Sequence, residues 1–81
     1  MFVKLYTSPT CTNCAPVKER LKAAGIEYEE RNVSDQEAFD ELSAQGVRAV
    51  PYLHAKNAVG SEYKALGSGI NVKSLKEFLN A

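Results

Sequence analysis

The chain has 81 residues, 44% of them hydrophobic and 25% charged, and its ten basic and ten acidic residues give a formal net charge of zero. This length predicts one domain, 1–81, and the neutral balance argues against nucleic acid or an anionic membrane surface as a partner. No apolar run approaches the ~20 residues that span a bilayer, and MFVKLYTSPTC is too short and too polar for a signal peptide, so we expect a cytoplasmic monomer.

The first half of the chain alternates strand and helix signals. Residues 2–6 are rich in β-branched and aromatic side chains and predict a strand, followed by turn residues. A helix is expected over 14–24, with Gly25 as a left-handed cap and an apolar face of Val17, Leu21 and Ala24. The imperfect alternation of 26–33 predicts an edge strand whose acidic residues discourage further pairing.

A second helix is expected over 35–45. Ser34 and Glu37 match the Ser-x-x-Glu capping box, and Gly46 follows the last periodic residue. The apolar residues of this segment predict a buried face of Phe39 and Leu42, with Ala38 beside them.

The last third of the chain predicts two strands and a helix. We expect strands at 50–53, despite Pro51, and at 59–65 after a turn at 57–60, then a loop at 66–69. Asn71 can cap a final helix that presents Val72, Leu75, Phe78 and Leu79. The order strand–helix–strand–helix–strand–strand–helix predicts an α/β layer structure, with a parallel crossover first and an antiparallel hairpin later.

Both cysteines, Cys11 and Cys14, lie where the first strand ends and the first helix begins. A helix N-terminus carries partial positive charge and free N–H groups, which favour a nucleophilic thiolate. Cys11, nearer the loop, is expected to be exposed and to attack a disulfide, and Cys14 to resolve the mixed disulfide. Thr12 and Asn13 between them can donate hydrogen bonds to sulfur. This two-electron exchange needs no organic cofactor.

Two other interpretations of the cysteine pair stay open from the residues alone. A structural disulfide would close a very short loop, and short loops stabilise least. A metal site would need two further ligands, yet His54 is the only histidine and there is no third cysteine. We therefore favour the redox interpretation and expect no metal; His54 and the four tyrosines are expected to be structural.

Pro51 also has two interpretations. It can begin an edge strand, or the Val50–Pro51 bond can be cis and face the cysteines. In the second case the Val50 backbone N–H and C=O groups would be open to an extended substrate, as in strand addition.

These features together resemble the glutaredoxins, a family with the thioredoxin fold. The resemblance covers nearly the whole chain: Cys-x-x-Cys at a helix start, a capped second helix, Val-Pro and a Gly-Ser-Gly loop. Within the family, "YTSPTCTNC", "KERLKAAGIEYEE", "GVRAVP" and "GSGI" look most like NrdH-redoxins. The resemblance implies a βαβαββα fold with a four-stranded mixed sheet and three helices, a nucleophilic Cys11, a resolving Cys14 and a cis Pro51.

The resemblance also implies the partners. NrdH-redoxins are reduced by thioredoxin reductase, with NADPH, and supply electrons to ribonucleotide reductase; glutaredoxins are reduced by glutathione. Ser8 stands where both groups often have lysine, and Gly67, Ser68 and Asn71 replace the Gly-Gly and Asp that bind glutathione. Ser68-Gly69 matches the first two residues of the NrdH pattern Ser-Gly-Phe-Arg-Pro, and the remaining three are replaced by Ile-Asn-Val. These departures favour thioredoxin reductase as the reductant.

Three function classes follow from these observations. The first is a thiol–disulfide oxidoreductase that reduces protein disulfides, with Thr12, Asn13, Val50, Pro51, Gly67, Ser68 and Gly69 as substrate contacts. The second is a module that binds glutathione and an iron–sulfur cluster through Cys11. The third is a structural interaction domain in which the cysteines have no role.

Overall fold

The computed structural model describes residues 2–80 and contains four strands, three α-helices and one short 3₁₀ turn. In chain order these are β1 (Phe2–Thr7), α1 (Cys14–Ala23), β2 (Glu29–Asn32), α2 (Gln36–Ala44), β3 (Tyr52–Lys56), β4 (Glu62–Leu66), the 3₁₀ turn (Gly67–Gly69) and α3 (Val72–Leu79). The βαβαββα order is the predicted one. Among these residues no helix combines the length and the apolar character needed to cross a membrane.

The four strands form one mixed sheet in the order β2-β1-β3-β4. β1 pairs in parallel with β2, from Lys4 opposite Glu29 to Thr7 opposite Asn32. β1 pairs antiparallel with β3, and β3 antiparallel with β4. The predicted parallel crossover and antiparallel hairpin are therefore confirmed, and β2 lies at an edge as expected.

The larger part of the core lies between one face of the sheet and helices α1 and α3. Leu5 and Leu53 of the central strands are fully buried, as are Leu21 of α1 and Leu75 of α3. Fully burying such a side chain contributes roughly 1.5–3 kcal/mol, so these four residues fix both helices on the sheet. Tyr28 and Tyr63 pack against the same cluster, which confirms a packing role for them.

Helix α2 covers the opposite face of the sheet with a smaller and partly polar cluster. Leu42 packs there against Tyr6 and Tyr52. The Tyr6 hydroxyl donates to Glu41 Oε1 at 3.2 Å, and the Tyr52 hydroxyl donates to Gln45 Oε1 at 3.1 Å. Because a buried hydroxyl needs a partner, Glu41 and Gln45 must lie on the inner side of the helix.

The prediction that Phe39 belongs to the buried face of α2 is wrong. Its side chain is 51% exposed, whereas Ala38 and Leu42 are buried. Glu41 and Gln45 occupy the inner side with them, at the three- and four-residue spacing of one helix face. Phe39 lies one residue round the helix from Ala38 and faces away from the sheet.

Glu41 is the charged centre of this face. The Arg31 guanidinium donates to Glu41 Oε2, and Lys4 Nζ lies 3.6 Å from Oε1. Burial raises the pKa of Glu41, but the Arg31 and Lys4 charges and the Tyr6 hydroxyl outweigh it, so that its pKa lies below the usual range. Burial raises the pKa of Tyr6 and of Tyr52, and both phenols remain neutral donors.

The second strand is shorter than the predicted 26–33, because the end of α1 takes up its first residues. Gly25 has φ +72°, as its predicted cap role requires. Gly25 N donates to Lys22 O and Ile26 N donates to Leu21 O, both at 3.0 Å, which is the hydrogen-bond pattern of a Schellman motif. Ile26 is thus part of the helix cap, and β2 begins only at Glu29.

The predicted capping box at Ser34 and Glu37 does not form. The backbone N and Oγ of Ser34 both donate to Asn32 Oδ1, at 2.9 and 2.8 Å. This turn holds Ser34 outside the helix, and Asp35 becomes the N-cap residue without a side-chain capping bond.

Both strands of the antiparallel hairpin, β3 and β4, lie later in the sequence than predicted. β3 runs Tyr52–Lys56 instead of 50–53, and Pro51 precedes a central strand rather than an edge strand. β4 runs Glu62–Leu66 instead of 59–65, because the turn holds Val59, which is 73% exposed. Asn57 organises that turn: its Oδ1 accepts hydrogen bonds from Val59 N and Ser61 N.

The predicted cap of the final helix is confirmed. Asn71 Oδ1 accepts hydrogen bonds from Lys73 N at 3.0 Å and Ser74 N at 3.2 Å. These satisfy two of the N–H groups that a helix start leaves free, and they fix α3 directly after the 3₁₀ turn.

Candidate active site

Cys11 and Cys14 form a disulfide, with their Cα atoms 5.5 Å apart. Cys14 is the first residue of α1 and is only 2% exposed, whereas Cys11 lies before the helix and is half-buried. Cys11 N donates to Ser8 O at 3.0 Å. Cys11 is thus less exposed than the sequence predicted, but it remains more accessible than Cys14.

The start of α1 leaves its positive end uncompensated. Its first turn contains no acidic residue, and the N-cap residue, Asn13, makes no side-chain capping bond. Free N–H groups and the helix dipole therefore face the cysteine pair, an environment that stabilises a thiolate there.

The loop before the cysteines is held by hydroxyl groups. Ser8 Oγ accepts a hydrogen bond from Thr10 N at 3.3 Å and lies 3.1 Å from Thr10 Oγ1. Ser8 is thus engaged within its own loop, and it supplies no positive charge.

The Val50–Pro51 peptide bond is cis, which decides between the two interpretations of this proline. Pro51 is fully buried, and its carbonyl accepts a hydrogen bond from Gly67 N at 2.8 Å. Gly67 has φ +57°, a conformation that favours glycine. The cis-proline loop and the Gly67–Gly69 turn are thereby joined side by side.

A surface cavity of about 310 Å³ lies between α1, Pro51 and this turn. Four of the predicted site residues line it, namely Asn13, Pro51, Gly67 and Ser68. The other lining residues, which the sequence did not indicate, are Pro16, Val17 and Arg20 of α1. The cysteine-bearing helix and the cis-proline loop thus share one groove.

A comparison with protein families identifies the family in which this arrangement occurs. The family model described as "Glutaredoxin" matches residues 3–58, which include both cysteines and Pro51. The chain belongs to the glutaredoxin family. The Cys11–Cys14 disulfide is therefore the Cys-x-x-Cys pair of a glutaredoxin-like redox protein.

Individual relatives agree with this placement. The chain is 32% identical over 65 residues to the glutaredoxin-like protein NrdH of Salmonella typhimurium, a match covering 79% of this chain and 80% of that protein. NrdH-redoxin from Escherichia coli has a TM-score of 0.69 and 27% identity, over 95% of this chain and 93% of that one. A glutaredoxin from Archaeoglobus fulgidus has a TM-score of 0.63 and 26% identity, over 98% and 86%. The fold is thus thioredoxin-like, as the resemblance implied.

Three of the predicted contact residues do not line the groove of this glutaredoxin. Thr12 and Gly69 are exposed, and Val50, within the cis-proline loop, packs against the cluster of Tyr6, Leu42 and Tyr52. Among residues 2–80 no three His, Cys, Asp or Glu side chains are arranged to hold a metal ion.

His54 lies on β3, as a structural residue would. Its Nε2 is 3.0 Å from Glu62 Oε1, and its ring meets Phe2 edge-on with centroids 5.1 Å apart. The hydrogen bond from His54 and the nearby Lys64 lower the pKa of Glu62. His54 is therefore engaged by neighbouring side chains of the sheet, Phe2 of β1 and Glu62 of β4.

Proposed function

We propose that this glutaredoxin-family chain is a thiol–disulfide oxidoreductase that reduces protein disulfides through Cys11 and Cys14. The observation that supports it most is the disulfide itself, with Cys11 accessible and Cys14 buried at the first residue of α1. A structural disulfide would not need this asymmetry or a helix start without acidic residues.

The proposed reaction is a pair of thiolate exchanges. The Cys11 thiolate attacks one sulfur of a substrate disulfide, which forms a mixed disulfide and releases the other substrate sulfur as a thiolate. The Cys14 thiolate then attacks Cys11 Sγ, which forms the intramolecular disulfide and releases the second substrate thiolate. Two electrons pass to the substrate, and its thiolates take protons from water.

The cis-proline loop and the 3₁₀ turn are proposed to hold the substrate. An extended segment would pair with the Val50 backbone, in the manner of strand addition, and lie against Pro51 and the Gly67–Gly69 turn. Thr12 and Asn13 contact the substrate beside the reacting sulfur. The shared groove, lined by Asn13, Pro51, Gly67 and Ser68, supports this arrangement.

We propose thioredoxin reductase, with NADPH, as the reductant in preference to glutathione. Ser8 supplies no cation, and Asn71 Oδ1 is used in capping α3, so two of the groups that the family uses for glutathione are missing or engaged. The likeness to NrdH proteins supports ribonucleotide reductase as a disulfide substrate. We further propose that residues 1–81 act as one glutaredoxin-like domain, a cytoplasmic monomer without a bound cofactor.

Two coupled assays test the reductant. Purified protein and a protein disulfide are mixed with NADPH and thioredoxin reductase, and separately with NADPH, glutathione and glutathione reductase. We expect NADPH oxidation in the first mixture and little in the second; the reverse would assign the chain to the glutathione-dependent glutaredoxins. A Cys11→Ser variant should be inactive in both, and full activity of that variant would refute the oxidoreductase itself.

A further inference from the structure

The groove between α1, Pro51 and the Gly67–Gly69 turn, which Asn13 joins to the cysteine pair although neither cysteine lines it, contains a charge that the exchange reaction does not need. Arg20 is the one charged side chain among the described residues that line it, and no acidic side chain does. The other walls are apolar, from Pro16, Val17 and Pro51, or neutral and polar, from Asn13 and Ser68.

Arg20 is also free to bind something from outside. Within residues 2–80, the carboxylates that form ion pairs contact Lys4, Lys18, Arg31 and His54, and none contacts Arg20. Its side chain is exposed. Lys18, on the same helix, is held by Glu30 at 3.3 Å, so α1 presents an engaged cation on one side and a free one in the groove.

The position of Arg20 on α1 sets the distance at which it would act. Asn13, Pro16, Val17 and Arg20 follow a three- and four-residue spacing, which places them along one helix face. Arg20 is seven residues after Asn13, or roughly 10 Å along the axis. An extended chain rises ~3.3 Å per residue, so a peptide whose reacting cysteine lies beside Asn13 would reach Arg20 about three residues further along.

We propose that Arg20 is a specificity-determining residue that favours protein substrates carrying a carboxylate about three residues from the reactive cysteine. The inference rests on the proposed oxidoreductase function and adds a substrate class to it. A guanidinium can donate two parallel hydrogen bonds to a carboxylate. Glutathione does not meet the distance requirement, because its carboxylates belong to the residues bonded directly to its cysteine.

Single-turnover reduction of synthetic disulfide peptides tests this selection. The pre-reduced protein is mixed with peptides that differ only by Glu, Gln or Lys at two to four residues on either side of the cysteine. The readout is the ratio of the Glu-peptide rate to the Gln-peptide rate. We expect a ratio of about three to five at one of these positions at low salt, falling towards one in about 0.5 M salt because exposed charges are screened.

Variants locate the effect. Arg20→Gln should bring the ratio close to one, Arg20→Lys should keep part of it, and Arg20→Glu should favour the Lys peptide. Lys22→Gln is the matched control, since it removes the same charge from an exposed position of α1 outside the groove. Its ratio should equal that of the wild type.

Each contrary result has a separate meaning. A wild-type ratio near one at every position, or an equal loss with Lys22→Gln, would overturn the role of Arg20 while leaving the oxidoreductase intact. An equal effect of Arg20→Gln on glutathione disulfide would overturn the assignment to polypeptide substrates. No reduction of any peptide would refute the proposed function and this inference with it.

Discussion

Reduction of the Cys11–Cys14 disulfide is expected to destabilise the fold by a modest, calculable amount. The bond closes a loop with a sequence separation of 3, and the chain-entropy relation gives about 2 kcal/mol at 25 °C for so short a loop. A thiolate at the start of α1 recovers roughly 0.3–1 kcal/mol through the helix dipole. The loop entropy is the larger effect, and between about 1 and 1.7 kcal/mol of destabilisation remains.

Thermal unfolding followed by circular dichroism at pH 7, with and without a phosphine reductant, measures this difference. A domain of this size loses ~4–8 °C in Tm per kcal/mol, so the reduced form should unfold roughly 4–14 °C below the oxidised form. A Cys11→Ser/Cys14→Ser double variant is the control, and its Tm should not respond to the reductant. A reduced form at least as stable as the oxidised one would show that thiolate stabilisation matches or outweighs loop entropy and would refute the calculation.

Three further predictions concern the elements that carry the site. Asn71→Ala should cost about 1 kcal/mol through loss of the α3 cap, and Asn71→Asp should restore it; equal stabilities in urea unfolding would exclude a capping role. Leu42→Ala should cost about 2–4 kcal/mol and Phe39→Ala less than ~0.5 kcal/mol; the reverse order would mean that α2 is rotated. Because the pKa of Glu41 is lowered in the fold, its contribution should be complete above the unfolded-state value of ~4.3 and disappear as the pH falls through the folded value. Unfolding of wild type and Glu41→Gln should therefore converge as the pH falls below the usual carboxyl range, and a pH-independent difference would contradict this.

Local signals predicted the caps at Gly25 and Asn71 correctly, whereas the capping box predicted at Ser34 is replaced by hydrogen bonds from Ser34 to Asn32. Gly25 and Asn71 act through hydrogen bonds within a few residues of themselves, so the sequence alone contains what decides them. A tertiary contact decided the wrong prediction for Phe39. Phe39 does not lie on the inner side of α2, because Glu41 and Gln45 lie there as hydrogen-bond partners of the Tyr6 and Tyr52 hydroxyls. These tyrosines lie outside α2, on β1 and β3.

The start of β4 and the groove were missed for different reasons. Hydropathy could not separate Val59 from β4, since the Asn57 side chain sets that turn. The cysteine pair was visible in the sequence because spacing and position at a helix start express its chemistry directly. The role proposed for Arg20 was not visible in the sequence, because the groove forms only when α1, the cis-proline loop and the 3₁₀ turn come together.

The claim that Cys11 attacks and Cys14 resolves is tested most directly by trapping the intermediate. A Cys14→Ser variant, reduced and mixed with a disulfide protein, should accumulate a one-to-one mixed disulfide, and peptide mass spectrometry should locate the bond at Cys11. The Cys11→Ser variant should form far less adduct, because its remaining thiol at Cys14 is buried. Equal trapping by both variants, or trapping through Cys14 alone, would contradict this account.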